Sequence, residues 1–185
     1  MWMALTRPSP SDRYEKVFAY LDAIEAGDSK HSAISEEDKS SLREALVVSE
    51  FGSSAAGKRI ATALLKRLNA HVLAQNNDEE YVINSSDTYL ESILPPKATK
   101  KAWGKDWPDQ DERDKWVNRL GNLALISVKA TTREKKMSFE EKKARFQAEV
   151  WPITSGLSDF SAWNSDNLVK QLASTVALID QIWGL

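Results

Sequence analysis

The chain of 185 residues contains no cysteine and only two histidines, His31 and His71. The absence of cysteine excludes disulfide bonds, thiolate zinc sites and cysteine nucleophiles. Two histidines make a multi-histidine metal centre hard to build within one chain. No apolar run approaches the roughly 20 residues of a membrane-spanning helix. The opening sequence MWMALTRPSP lacks the basic and apolar regions of a secretory signal. We therefore expect a cytoplasmic protein with no membrane partner.

The net charge of −2 conceals an uneven distribution of charged residues. Residues 97–145 contain 14 lysines and arginines against 8 acidic residues, whereas the rest of the chain contains 11 against 19. A local excess of positive charge steers association with a phosphate backbone more than the net charge does. The same pattern is also typical of a solvated helix face with paired charges. Charge alone leaves both interpretations open.

Apolar residues recur at spacings of three and four along most of the chain, which predicts a mainly helical protein. Two capping boxes, at 35–38 and 138–141, mark helix starts because the serine and the acid satisfy free N–H groups of the first turn. The predicted helices begin near Ser11, Ser35, Ala55, Asp111, Ser138 and Ser165. The third extends to about Gln75, and the fifth to about Val150.

An extended region interrupts the helices between residues 81 and 127. Residues rich in β-branched and aromatic side chains predict short strands at 81–83, 89–94 and 122–127. Two prolines, Pro95 and Pro96, end the second strand because proline donates no ladder hydrogen bond. The chain has seven tryptophans, and core packing is their expected role. The expectation is weakest for Trp103 and Trp107, which lie in a polar connection.

The order of features in this region predicts a β–β–α unit. A strand that carries an acid and ends in prolines, Glu91-Ser92-Ile-Leu-Pro-Pro, comes first. The strand Leu-Gly-Asn122-Leu-Ala-Leu-Ile-Ser follows, and a basic loop leads into the capped helix Ser-Phe-Glu-Glu-Lys-Lys143. In these motifs and their order, over about residues 40–185, the chain resembles the C-terminal HNH-like nuclease domain of GmrSD-type restriction proteins, which attack modified DNA.

The resemblance implies an α+β fold that is predominantly α-helical, with a helical bundle around a small ββα-metal core. It implies a helical connector over residues 1–54 and the HNH-like domain over residues 55–185. It also implies a role in DNA restriction and antiviral defence, with an ancestry in metal-dependent phosphodiester hydrolysis. A divalent metal, Mg²⁺ or Mn²⁺, is implied if the site is active. The implied partners are DNA, including modified DNA, and an N-terminal sensor domain or subunit.

The same resemblance assigns the site residues one by one. Glu91 matches the acid of the family, a metal ligand, and Asn122 matches the asparagine that braces the metal loop in the catalytic site. Ser92 stands where the family has its catalytic histidine, and a hydroxyl is a poor base where an imidazole with a pKa of about 6.5 suits the task. Thr131 and Lys136 stand where two loop asparagines are expected, and a protonated lysine cannot ligate a metal. We therefore predict a degenerate nuclease site.

Three functions stay open on these residues. They are an active endonuclease with an unusual base, a non-catalytic DNA-binding or regulatory module of a defence system, and a protein-interaction domain. If the domain binds DNA, the predicted phosphate contacts are Lys97, Lys100, Lys101, Lys129, Arg133, Lys135 and Lys136. Such binding weakens steeply with added salt because it releases counterions.

Overall fold

The computed structural model of the protein describes residues 35–75, 88–131 and 133–183, together with the isolated positions 18 and 22. Apart from those two positions, the predicted helix from Ser11 lies outside the described residues, as does the predicted strand at 81–83. Residues 35–48 belong to one compact unit, and residues 49–183 form another. The division into connector and nuclease-like domain at residue 54 stays a prediction.

The described part of the first unit is mainly helix α1, Glu36–Val48. Its N-terminus is capped as the sequence predicts, since the Ser35 hydroxyl accepts a hydrogen bond from the Asp38 N–H at 3.1 Å. Leu42 and Leu46, one turn apart, are both buried. The apolar spacing therefore identified the buried face of this helix.

The second unit is mostly helical and contains a small sheet. Its helices are α2 (Ala55–Gln75), α3 (Lys100–Trp103), α4 (Gln110–Trp116), α5 (Phe139–Gln147), α6 (Pro152–Ser155) and α7 (Ser165–Trp183). Its strands are β1 (Tyr89–Ser92) and β2 (Leu123–Ile126), and its 3₁₀ turns are Leu120–Asn122, Glu134–Lys136 and Gly156–Asp159. No helix in the described ranges is long and apolar enough to cross a membrane.

Several local boundaries differ from the sequence-based expectation. β1 ends at Ser92 rather than at residue 94, because its partner strand begins only at Leu123, directly after a 3₁₀ turn. The residue that caps α7 is Asn164 rather than Ser165, since the Asn164 side chain accepts a hydrogen bond from the Asn167 N–H at 3.0 Å. The helix from Ser138 ends at Gln147, before Val150. The short helices α3 and α6 have four residues each, too few for periodicity to reveal.

The two strands pair in antiparallel register, with Glu91 opposite Ala124 and Ser92 opposite Leu123. Helix α2 lies against both strands and also contacts α6 and α7. The predicted fold class, predominantly helical with a small sheet, is therefore confirmed at this level. The HNH character of the sheet and helix stays a prediction.

Tryptophans form much of the core around the sheet. Trp103, Trp107 and Trp163 are each at most 2% exposed, so the two tryptophans of the polar connection lie in the core. The Trp103 indole donates to the Met137 carbonyl at 3.1 Å, and the Trp107 indole donates to the Trp163 carbonyl. Phe139 at the start of α5 stacks on Trp163, with 5.5 Å between ring centroids. These three indoles, with Trp163 donating to the Asn122 Oδ1, satisfy their N–H groups while their rings fill the core.

Gly121 allows the 3₁₀ turn before β2 to approach α7 closely. A Cβ atom at this position would lie 2.8 Å from the Leu172 Cβ and 3.1 Å from the Leu168 carbonyl oxygen. Both residues belong to α7, and Leu168 is fully buried. The glycine of the Gly-Asn-Leu motif therefore has a packing role, because any side chain would push the turn away from the helix.

Candidate functional site at the end of β1

The end of β1 brings a carboxylate and a hydroxyl next to a sharp change in chain direction. Glu91 and Ser92 are the last two residues of the strand. The Ile93 N–H donates to the Asn122 carbonyl at 2.9 Å, which extends the sheet contact by one bond. Pro95 and Pro96 follow within three residues and cannot donate further ladder bonds. The strand end is therefore fixed by its neighbour rather than free.

The amide of Asn122 is the main brace of this strand end. Its Oδ1 accepts from the Leu94 N–H at 2.8 Å and from the Trp163 indole at 3.0 Å. Its Nδ2 donates to the carbonyls of Leu94 at 2.9 Å and Val117 at 2.8 Å. Asn122 is completely buried, so these four bonds are shielded from water. Its side chain has no spare hydrogen-bonding capacity for a substrate, and what it does is hold the loop after β1 in place.

Lys142, on α5, reaches back to the same strand end. Its ammonium lies 3.1 Å from the Ile93 carbonyl oxygen, 3.3 Å from the Ser92 carbonyl oxygen and 3.5 Å from the Glu91 Oε1. The side chains of Lys142 and Glu91 are only 4% and 10% exposed. One buried cation therefore contacts a carboxylate and two main-chain carbonyls.

The buried position of Lys142 also changes its acid–base behaviour. Burial lowers the pKa of Lys142 below its ordinary value of 10.5, because an ammonium loses hydration in the protein interior. The Glu91 carboxylate acts in the opposite direction and favours the charged form. The indole ring of Trp103, 6.0 Å from the ammonium, adds a weak cation–π contact. The charged lysine is thus held by its acceptors against the cost of burial.

A pocket of about 430 Å³ opens beside Glu91 and Ser92. It is lined by Lys58, Leu90, Glu91, Ser92, Pro95, Pro96, Lys97, Leu123 and Lys136. The structure therefore brings together four of the sequence-predicted residues: the acid, the serine and two of the lysines. It adds Lys58, from the first turn of α2, which the sequence did not single out.

Other predicted residues lie away from this pocket. Thr131 is exposed and forms a reciprocal pair with Glu134, whose carboxylate accepts from the Thr131 N–H at 2.6 Å and whose N–H donates to the Thr131 hydroxyl at 3.2 Å. Hydrogen bonds of the Glu134 carboxylate to the side chain and to the N–H of Thr131 lower the pKa of Glu134. Thr131 thus contacts the first residue of the 3₁₀ turn Glu134–Lys136 and is not among the described residues that line the pocket.

The remaining predicted phosphate contacts are spread over the surface. Lys101 lines a second cavity, of about 780 Å³, which Lys136 also borders. Lys100, Lys129 and Arg133 are exposed but line neither of these two cavities. The side chain of Lys135 lies outside the described residues.

The donor set around Glu91 does not fit a divalent metal. Mg²⁺ and Mn²⁺ require several oxygen ligands, and carboxylates are the usual protein donors. No group of three His, Cys, Asp or Glu side chains suited to a metal occurs in the described part of the chain. The Glu91 carboxylate already contacts the Lys142 ammonium, and Lys58, Lys97 and Lys136 add positive charge to the pocket lining. His71 offers no ligand to this site, since its ring nitrogen contacts the Gln75 side chain within α2 at 3.0 Å.

Lys142 is another site residue that the sequence analysis did not predict. In the sequence it is the first of the two lysines in the motif Ser-Phe-Glu-Glu-Lys-Lys143. A signal was nevertheless present, because Phe139, Lys142 and Phe146 follow one another at spacings of three and four, and both phenylalanines are buried. A lysine on the buried stripe of a helix needs an acceptor inside the protein. The stripe therefore marks Lys142 as a paired, buried cation.

Comparison with known proteins gives one family. The sequence profile described as GmrSD restriction endonucleases, C-terminal domain, matches residues 36–174. The match covers β1, β2, α5 and most of α7, and so includes all the residues that surround the pocket. No curated protein sequence matches the chain.

Proposed function

Because the chain belongs to the family of C-terminal domains of GmrSD restriction endonucleases, we propose that it is a nuclease-derived domain that binds DNA without hydrolysing it. We infer that it works in the cytoplasm, in restriction of foreign or modified DNA, with a sensor domain or subunit supplying recognition of the modification. The observation that carries the proposal is the contact between the Glu91 carboxylate and the buried ammonium of Lys142.

Phosphodiester hydrolysis has two chemical requirements that the residues at the end of β1 do not meet. Activation of water needs a base with a pKa near the operating pH, and a serine hydroxyl at position 92 is no such base. Stabilisation of the leaving oxygen needs a metal or a positioned cation. Glu91 is the acid at the strand end, and Lys142 occupies the space where a cation would meet it. No hydrolytic step is therefore assigned to these residues.

The exposed cations of the domain support binding to a phosphate backbone. Lys58, Lys97 and Lys136 line the pocket, and Lys100, Lys101, Lys129 and Arg133 lie exposed elsewhere in the same unit. Contacts of this kind attract DNA without reading its sequence. Selection of modified DNA is then the task of the partner rather than of this domain.

The test combines cleavage and binding on one preparation. Supercoiled plasmid is incubated with the full chain in Mg²⁺ or Mn²⁺, and the Glu91→Ala variant is run beside it. We expect no nicking above background, and in mobility-shift titrations we expect DNA binding that weakens as salt increases. Robust nicking that Glu91→Ala abolishes would show an active endonuclease with an unusual site. Absence of DNA binding at low salt would favour a protein-interaction domain instead.

The ancestry of the site has a separate test. The double variant Ser92→His with Thr131→Asn restores two side chains of the family pattern, and the matched control is Ser155→His with Thr62→Asn in the same unit. Nicking by the first pair alone would support descent from a hydrolytic centre.

A further inference from the structure

The pocket beside β1 concentrates positive charge from three separate elements. Lys58 comes from α2, Lys97 follows the two prolines, and Lys136 belongs to the 3₁₀ turn Glu134–Lys136. All three are exposed. None forms an ion pair with another residue in the described ranges. Side chains far apart in sequence therefore place three ammonium groups, unpaired among the described residues, around one cavity.

Glu91, the one acid among the described residues of this lining, does not cancel that charge. The Glu91 carboxylate is 3.5 Å from the ammonium of Lys142, a buried residue that is not among those lining the pocket. Glu91 and Lys142 together are close to neutral, so the three exposed lysines determine the sign of the potential in the pocket. The cavity therefore favours an anion, and an ammonium group suits the oxygens of a phosphate as a point charge.

The other lining residues suit the organic group that a phosphate ester carries. Leu90, Pro95, Pro96 and Leu123 form an apolar wall, and Ser92 adds a hydroxyl that can donate to a phosphate oxygen. A volume of about 430 Å³ falls in the range of sites for small ligands, so one nucleotide fits and a length of duplex does not. The second cavity shares Lys136 with this pocket, so a strand that leaves the pocket would pass a lysine bordering both.

We propose that this pocket binds the phosphate and sugar of a single nucleotide without a metal ion. The phosphate contacts Lys58, Lys97 and Lys136, and the sugar lies against the proline and leucine wall. The inference deepens the proposed function and rests on it, since DNA supplies the nucleotide as a strand end or as an unpaired residue. Serine in place of the family histidine suits this role because a hydroxyl donates to phosphate without adding bulk.

The test is a titration of the full chain, in EDTA, with 2′-deoxythymidine 5′-monophosphate, followed by ¹H–¹⁵N NMR. We expect saturable shifts at the amides of Glu91, Ser92 and Leu123, and no saturable shifts with thymidine, which lacks the phosphate. We expect Lys58→Glu and Lys136→Glu each to weaken mononucleotide binding by about ten-fold or more, because each places a carboxylate against the phosphate. Lys170→Glu, an exposed lysine of α7 outside the pocket, is the matched control and should bind as the wild type does.

Short single strands with and without a 5′-phosphate separate the sources of the nucleotide. Tighter binding of the phosphorylated strand, lost in Lys58→Glu, supports a strand end as the occupant, and equal binding of both supports an internal nucleotide. If the mononucleotide binds but no strand does, the pocket is a free-nucleotide site and the proposed function fails. If plasmid binds while the mononucleotide produces no saturable shift, or produces the same shift in Lys58→Glu, the pocket inference fails and the proposed function stands. Failure of every ligand overturns both.

Discussion

Replacement of Lys142 by methionine tests the arrangement on which the site depends. Methionine has a similar length and is apolar, so it fills the space of the lysine stem without an ammonium. Three acceptors then lose their donor: the Glu91 carboxylate and the carbonyls of Ser92 and Ile93. Removal of one partner of a buried ion pair costs about 3–5 kcal/mol, because the other charge stays buried without compensation. We expect Lys142→Met to lower the free energy of unfolding by that amount.

The adjacent lysine supplies a matched control. Lys143 belongs to the same helix and pairs with Glu140 at 3.9 Å, but the Glu140 side chain is 78% exposed. An exposed pair of this kind contributes about 0–1 kcal/mol. Denaturant unfolding of both variants, followed by tryptophan fluorescence, therefore compares the same substitution at a buried and an exposed position. A Lys142→Met variant within about 1 kcal/mol of Lys143→Met would refute the interpretation of Lys142 as a buried, paired cation.

Two further measurements separate the ion pair from simple packing. The double variant Glu91→Met with Lys142→Met removes both charges, and we expect it to regain much of the lost stability, since apolar replacement of a whole buried pair is often neutral.

The lowered pKa of Lys142 also fixes the direction in which stability changes with pH. The folded-state pKa of Lys142 lies below 10.5, so between that lowered value and 10.5 the unfolded chain binds more protons. Wild-type stability should therefore rise with pH relative to Lys142→Met, by at most about 1.4 kcal/mol per pH unit. A difference in unfolding free energy between wild type and Lys142→Met that stays constant or decreases towards pH 10.5 would contradict the lowered pKa of Lys142.

The other predictions concern the turn before β2. Asn122→Ala leaves four buried partners without their bonds, and at about 1 kcal/mol or more for each it should destabilise the domain by about 4 kcal/mol. Asn118→Ala, four residues earlier, should cost less than about 1 kcal/mol in the same unfolding assay, and a similar loss for both would exclude the bracing role. Gly121→Ala should cost about 1–3 kcal/mol, because the new methyl group would lie 2.8 Å from the Leu172 Cβ, and an unchanged midpoint would show that the contact relaxes. Gly121→Ala should cost less stability in a Leu172→Ala background, because the shortened side chain leaves room for residue 172 and the new methyl group to move apart.

Local signals in the sequence were sufficient for much of the fold. The capping box of Ser138 and Glu141 is present with both of its hydrogen bonds, and α2 has the bounds that its apolar spacing predicted. Each of these depends on residues within one or two helical turns. The short helix α3 could not be predicted in this way, since its four residues are held by Trp103 in the core and by a Thr99 cap.

Only part of the candidate site could be predicted from the sequence, because its contacts join residues far apart in the chain. Glu91 and Lys142 are 51 residues apart, and nothing near either residue specifies the other. The motif predicted Glu91 as the acid and Ser92 as the position of the family histidine, but Lys142, which contacts the acid, belongs to a different element. Lys58 was missed because an exposed lysine at a helix start has no distinguishing feature until the fold places it beside Ser92.

The position of Lys142 explains how the strand end and helix α5 are joined. In the ββα arrangement that the chain resembles, a divalent cation sits between the strand end and the helix. Here the helix carries its own cation, since the Lys142 ammonium reaches the acid and two carbonyls of the strand end. A covalently attached cation is always present and cannot exchange its ligands for water or substrate. On our proposal, the residue that joins α5 to β1 also keeps Glu91 from acting as a metal ligand, and the lysines that line the pocket contact a phosphate instead.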